Sequence, residues 1–175
     1  AGPGRVGVRL SPVSMDSRTG QQSQTYFATT HSDPASTYEH AVRGLNSFPL
    51  AYLLLTEPRV NGLSLHKPEQ EEAYKHPLCN TLYRRIYEGT LIGAGGFTPQ
   101  TAADAVSSGV FDLVAFGRWF ISNPDLPERL RRGDPLTVYD REKFYGGGAA
   151  GYTDYPRWDD MEHRTLQSDV TSQSS

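Results

Sequence analysis

The stretch GTLIGAGGFTPQTAADAVSSGVFDLVAFGRWF, residues 89–120, decides the fold. It contains two short apolar runs, TLIGAGG and FDLVAFG, and each run ends in glycine. Between them, Thr98 and Pro99 are the N-cap and first-turn residues typical of a helix, which we expect to end near Ser108. The stretch therefore predicts two strands joined by one helix, with Arg118 directly after the second glycine-ended strand.

The same alternation of strand and helix extends to both sides of this stretch. Val6–Leu10 and the apolar run in LAYLLLTEPRV predict two earlier strands. Helices are predicted in STYEHAVRGLNSF, LCNTLYRRIYEG and, after the fourth strand, NPDLPERLRRG. Short strands that are apolar on both faces are typical of a parallel sheet covered by helices. These patterns fit either a doubly wound open sheet or part of a (βα)8 barrel, which needs about 250 residues when complete.

Composition excludes several classes of protein. The chain has 175 residues and a formal net charge of -3, which gives no reason to expect a nucleic acid or a membrane surface as partner. Its single cysteine excludes an internal disulfide, and its five histidines lack metal-ligand spacing, so no metal is predicted. The longest apolar run, Leu50–Leu55, is too short to cross a bilayer. A cytoplasmic location is the default expectation.

The glycines that end the third and fourth strands predict a phosphate site. Ligands of parallel α/β units meet the carboxyl ends of the strands, where Gly95, Gly96 and Gly117 lie. Glycine lets the backbone approach an anion closely, and the following helix N-terminus favours negative charge. Arg118 adds a guanidinium that can bind a phosphate with two hydrogen bonds. The alternative is that these glycines only mark turns.

Several segments together resemble one family. In chain order, the segments are VGVRLSP, YLLLTEPRV, LIGAGGFT, DLVAFGRWFISNPDLPERLRRGDPL, YDREKFYGGG and GYTDYP. They resemble the C-terminal half of the old yellow enzyme family, flavin-dependent ene-reductases that include the 12-oxophytodienoate reductases of plants. The resemblance implies an α/β fold in which residues 1–156 are strands five to eight, the C-terminal half, of an FMN-binding (βα)8 TIM barrel. Residues 157–175 are predicted to be a partly disordered tail.

The resemblance also implies roles for individual residues. Arg9 matches an arginine beside the flavin pyrimidine, where a fixed cation stabilises the negative charge that grows as the flavin accepts hydride. Two further loops match the family's FMN-binding loops, and their residues are Gly95, Gly96, Phe97, Gly117 and Arg118. Tyr152 matches a tyrosine near the substrate; its alternative is simple packing of the C-terminal segment. Trp119 and Phe120 are expected to be core residues.

The implied reaction transfers hydride from NAD(P)H through FMN to the C=C bond of an α,β-unsaturated carbonyl compound. No segment matches the family's N-terminal half, which supplies the groups that polarise the substrate carbonyl and protonate its α-carbon. No catalytic residue is therefore assigned, and pairing with an N-terminal half-barrel chain or self-association is expected. The alternative function is that of a catalytically incomplete fragment, acting only as a flavin- or phosphate-binding half-barrel.

Overall fold

The computed structural model describes residues 2–12, 33–57, 80–144 and 147–160. The chain divides into two compact units, Ala1–Ala115 and Phe116–Ser175. The start of the predicted helix in LCNTLYRRIYEG and all of the predicted tail beyond residue 160 lie outside the described residues.

The first unit contains a four-stranded parallel sheet. Its strands are β1 (Gly7–Leu10), β2 (Tyr52–Thr56), β3 (Leu91–Ala94) and β4 (Leu113–Ala115), and they lie side by side in that order. The strand order of a doubly wound sheet reverses at the ligand-binding crevice, whereas consecutive barrel strands follow one another without reversal. The four strands thus have the order expected of a barrel segment.

Within the described residues, the helices that lie between these strands in the chain are α1 (Pro34–Leu45), α2 (Asn80–Arg84) and α3 (Pro99–Ser107). The predicted start of α3 is confirmed, because Oγ1 of Thr98 accepts a hydrogen bond from the backbone N–H of Thr101 at 3.2 Å. In return, Oγ1 of Thr101 accepts from the N–H of Thr98 at 2.9 Å. This reciprocal cap satisfies two N–H groups at the beginning of the helix.

The apolar core of the first unit lies on one face of the sheet. Leu53, Leu55 and Leu91 are fully buried there. Gly93 of β3 lies under the ring of Phe111, since a Cβ placed on Gly93 would come within 2.7 Å of that ring. The opposite face is more exposed. It carries Arg9 and its sheet partners Leu54, Ile92 and Leu113.

In the part of the second unit that the structure describes, helix α4 (Arg118–Ser122) is followed by helix α5 (Leu126–Arg132) and a 3-10 turn at Arg141–Lys143, and residues 158–160 are also helical. The predicted short helix after the fourth strand is α5, which ends at Gly133 with a left-handed φ of 75°. Helix α4, which precedes it, was not predicted. Leu126, Phe144 and the guanidinium of Arg129 are all buried in this unit.

Candidate functional site

Arg9 lies on the exposed face of the sheet, next to the end of β2. Its Nε donates a hydrogen bond to Oγ1 of Thr56, the last residue of β2, at 3.1 Å. Within the described ranges, no carboxylate pairs with this guanidinium. Thr56 therefore directs a charged group that remains available to an anion. Thr56 was not predictable from the sequence, because its role depends on the register between two strands.

The loop after β3 contains the two glycines predicted to contact a phosphate. Gly95 and Gly96 both have left-handed backbones, with φ of 98° and 70°. A Cβ on Gly95 would lie 2.8 Å from the carbonyl oxygen of Glu57, so this residue is required by close packing of the loop on the chain after β2. Gly96 is exposed. Between the two, Gly96 is the better candidate for a ligand contact.

Phe97 has a structural role through its side chain. The ring is buried and meets Phe111 edge-on, with 6.0 Å between the ring centroids. Any contact of Phe97 with a ligand at the strand ends would therefore come from its backbone and not from its ring.

In the second unit, Gly117 is the N-cap of α4 and follows β4 by two positions in the chain. No atom lies within 4 Å of a Cβ placed on it, so the space beside its backbone is open. Arg118 is half-buried, and its Cζ lies 5.4 Å from the ring centroid of Tyr139. Among the described residues no carboxylate pairs with Arg118. Because α4 has only five residues, its dipole is weak, and this guanidinium is the stronger feature for binding an anion.

An open cleft of about 450 Å³ lies in the second unit between α4 and the turn around Tyr152. The residues that line it are mostly apolar or aromatic: Gly117, Phe120, Ile121, Pro124, Tyr152, Thr153 and Tyr155. The structure thus places two of the predicted site residues, Gly117 and Tyr152, in one cleft. The expectation that Phe120 is a core residue is wrong, since 45% of it is exposed where the short helix α4 presents it to the cleft.

A buried ion pair holds the chain that follows this cleft. Nε of Arg129 donates to Oδ1 of Asp125 at 2.7 Å, and both side chains are almost completely buried. Arg129 also donates to the carbonyl of Pro156 at 2.9 Å, while Oδ2 of Asp125 accepts from the N–H of Trp158 at 2.8 Å. These contacts tie residues 156–158 to α5. The signal in the sequence was an aspartate four positions before an arginine on a predicted helix, but the pair was not predicted from it.

The electrostatics of this pair favour the ionised carboxylate. Burial alone would raise the pKa of Asp125, because a low-dielectric surrounding disfavours charge. The hydrogen bonds from the Trp158 N–H and the Arg129 guanidinium outweigh burial, so the pKa of Asp125 lies below its ordinary value. Asp125 therefore stays charged over the neutral range and keeps Arg129 paired.

A second cleft, of about 490 Å³, lies in the first unit where β3 and β4 begin. Arg84 on its wall donates to Oδ2 of Asp112 at 2.8 Å and to the carbonyls of Tyr87 and Gly89. Asp112 also accepts from the N–H of Leu91 at 2.7 Å. These charged groups are therefore already occupied by hydrogen bonds that stabilise the start of the sheet. In barrels, the face at the amino ends of the strands contributes to stability, and the contacts in this cleft fit a structural role of that kind.

Comparison with known proteins identifies the family. Residues 1–137 match the family described as NADH:flavin oxidoreductase / NADH oxidase. The chain belongs to the old yellow enzyme family. The family resemblance predicted from the sequence is therefore confirmed.

Relatives of this old yellow enzyme chain include plant proteins. It is 38% identical to 12-oxophytodienoate reductase 2 of Arabidopsis thaliana, over 89% of this chain and 37% of that protein. It is also 38% identical to putative 12-oxophytodienoate reductase 12 of Oryza sativa subsp. japonica, over 100% of this chain and 41% of the relative. The chain thus spans about two fifths of the length of these curated relatives.

Solved structures of the family agree with the fold. A structure of morphinone reductase matches with a TM-score of 0.66 and 35% identity, covering 91% of this chain and 38% of that one. Morphinone reductase in complex with tetrahydroNAD matches with a TM-score of 0.65 and 34% identity, over 89% of this chain and 36% of that one. None of the helices in the described ranges has the length and apolar character needed to cross a bilayer.

Proposed function

We propose that this chain forms the FMN-binding part of an ene-reductase, with β1 to β4 as strands five to eight of a (βα)8 barrel. The reaction would transfer hydride from NAD(P)H through FMN to the C=C bond of an α,β-unsaturated carbonyl compound. Three findings support the proposal: the family match, the parallel sheet in chain order, and relatives named as 12-oxophytodienoate reductases. The match to morphinone reductase with a bound tetrahydroNAD supports a nicotinamide as reductant.

The observation that carries this proposal is the guanidinium of Arg118. It follows β4 and the open backbone of Gly117, and no described carboxylate neutralises it. A planar cation and backbone N–H groups can together bind a phosphate dianion, and Arg118 and the exposed backbone beside Gly117 would supply them. The residues therefore fit the phosphate of FMN. Gly95, Gly96 and Phe97 would add backbone contacts from the loop after β3.

Arg9 would serve the opposite end of the flavin. When bound, FMN supplies the hydride-transfer chemistry, in which negative charge grows on the pyrimidine ring. The bond from Nε of Arg9 to Thr56 fixes the direction of the guanidinium, so its charge would already be oriented before reaction. Arg9 would thus stabilise charge and would not transfer a proton.

Tyr152 would contact the substrate. The cleft that it shares with Phe120 and Ile121 is lined mainly by apolar and aromatic side chains, with Thr153 and the tyrosines as its polar residues. An apolar wall with a few polar groups suits a small enone better than a charged metabolite. A cleft of about 450 Å³ is also within the usual size of small-molecule sites.

Flavin affinity tests the phosphate assignment. Arg118→Ala should weaken FMN binding by roughly tenfold to hundredfold, from the 1.5–3 kcal/mol typical of a hydrogen bond to a charged group. Riboflavin lacks the phosphate, so its affinity should change little. The matched control is Arg131→Ala, since Arg131 is an exposed arginine of the same unit that pairs with Glu128. Equal losses for FMN and riboflavin, or a wild-type chain that does not prefer FMN, would contradict the assignment.

A further inference from the structure

Arg118 contacts an aromatic ring from a distant part of the sequence. Its Cζ lies 5.4 Å from the ring centroid of Tyr139, which follows α5 by seven positions in the chain. This distance is within the roughly 6 Å at which a guanidinium is attracted to an aromatic face. Tyr139 is thus a neighbour of Arg118 that can hold it by a cation–π contact.

The ring of Tyr139 is itself held in place by two other aromatic residues. Trp119 meets it edge-on, at 5.2 Å between centroids and an interplanar angle of 80°. Phe144, which is buried, meets it at 5.7 Å and 44°. Aromatic pairs at these separations are attractive and have preferred geometries. Rotating the Tyr139 ring away from Arg118 would disturb both contacts.

An aromatic ring orients an arginine in a way that a carboxylate cannot. A carboxylate partner would hold the guanidinium but would also cancel its charge and compete with an incoming anion. A ring face restricts the long arginine side chain and leaves its N–H groups and charge available at the edge of the plane. Ordering the side chain in advance reduces the entropy that is lost when the anion binds.

We propose that Tyr139 is a positioning residue that holds the guanidinium of Arg118 ready for the phosphate of FMN. The identity of the anion rests on the proposed function, whereas the stacking of Arg118 on Tyr139 does not. Removing the ring should weaken FMN binding by about twofold to tenfold, the range expected for a partly exposed cation–π contact. The loss should be smaller than that of Arg118→Ala, because the charge itself remains.

The stacking is tested first without flavin, by NMR of the ¹⁵N-labelled full chain. The Nε–H signal of Arg118 should be displaced by the ring current of Tyr139 in the wild type and in Tyr139→Phe. It should return toward the position of an unstacked arginine in Tyr139→Met, which keeps an apolar side chain of similar reach. Arg131 provides the internal reference, since it is exposed and pairs with Glu128. An Arg118 signal that does not respond to Tyr139→Met would overturn the proposal.

Binding of FMN and riboflavin tests the positioning role. Tyr139→Met should reduce the preference for FMN over riboflavin, whereas Tyr139→Phe, which keeps the ring, should retain the wild-type preference. A loss that is equal for both flavins, or no loss, contradicts a role through the phosphate. If Tyr139→Met does not fold, Arg118→Lys replaces it, because lysine keeps the charge without the planar stack; full FMN preference in that variant counts against the proposal. If Arg118→Ala leaves the preference unchanged while the NMR signal responds to Tyr139, the proposed function fails and the stacking stands.

Discussion

The stability of the second unit should be highly sensitive to the loss of one partner of the buried pair of Arg129 and Asp125. Arg129→Met keeps an unbranched side chain that can replace the apolar stem of the arginine, but it removes the 2.7 Å contact with Asp125 and the 2.9 Å bond to the Pro156 carbonyl. It also leaves the buried carboxylate of Asp125 without its cation. Removing one partner of a buried pair typically costs about 3–5 kcal/mol, against a total stability of roughly 5–15 kcal/mol for a domain. We therefore expect Arg129→Met to lower the free energy of unfolding by several kcal/mol.

Equilibrium denaturation in urea measures this loss, with Arg131→Met as the matched control. Arg131 lies on the same helix, but it is exposed, and surface ion pairs contribute about 0–1 kcal/mol. The double variant Asp125→Leu/Arg129→Met should be more stable than Arg129→Met alone, because no charge is left buried without a partner. If Arg129→Met and Arg131→Met lower the free energy of unfolding equally, the reasoning about burial is refuted. Arg129→Lys, which keeps the charge, is the milder replacement if the methionine variant does not fold.

The same pair should make stability depend on pH in the acid range. Since folding lowers the pKa of Asp125 below its ordinary 3.8, the stabilisation is present above that value and is lost as the pH falls through the lower folded pKa. The difference in unfolding free energy between wild type and Asp125→Asn should therefore shrink below about pH 4. A constant difference between pH 7 and pH 2 would contradict this assignment.

Two further predictions concern the first unit, with one residue of the second as a control. Gly95→Ala should lower the free energy of unfolding by more than Gly133→Ala. Both glycines have a left-handed φ, so an alanine at either position costs roughly 1–2 kcal/mol of strain. Only at Gly95 would the new Cβ also come within 2.8 Å of a backbone oxygen. Equal losses in thermal unfolding would show that the approach to Glu57 is unimportant. Thr98→Ala should cost about 1 kcal/mol by removing the cap of α3, and Thr98→Ser should recover most of it. Denaturation of the two variants checks this, and identical midpoints would argue against the cap.

The elements were predictable because their signals are local. Thr98 and Pro99 predict the start of α3, and the glycine-ended apolar runs predict β3 and β4. The order of the strands was not predictable from these patterns, since a doubly wound sheet and a barrel segment share the same alternation. Helix α4 was missed because it has only five residues and follows Gly117 without a side-chain cap.

The candidate site was predictable only in part. Residues next to a strand end could be predicted, whereas residues that support them from remote parts of the chain could not. Gly117 and Arg118 are adjacent to a strand end, so position alone singles them out. Thr56 and Tyr139 support Arg9 and Arg118 from remote parts of the chain, and no periodicity links them. Phe120 was misjudged because hydrophobic character predicts burial only on average, and a short helix beside a cleft exposes one of its faces.

The order of the strands also bears on how the first unit folds. Each strand pairs with the next one along the chain, but the intervening segments differ in length. The segment between Arg9 and its partner Leu54 is about twice as long as the segment between Ile92 and its partner Leu113. A loop about twice as long costs roughly 0.6 kcal/mol more entropy to close. Pairing of β3 with β4 should therefore come first, with β2 and then β1 added from the amino-terminal side. Substitutions that shorten a side chain in β3 should therefore lower the folding rate. Substitutions that shorten a side chain in β1 should mainly raise the unfolding rate.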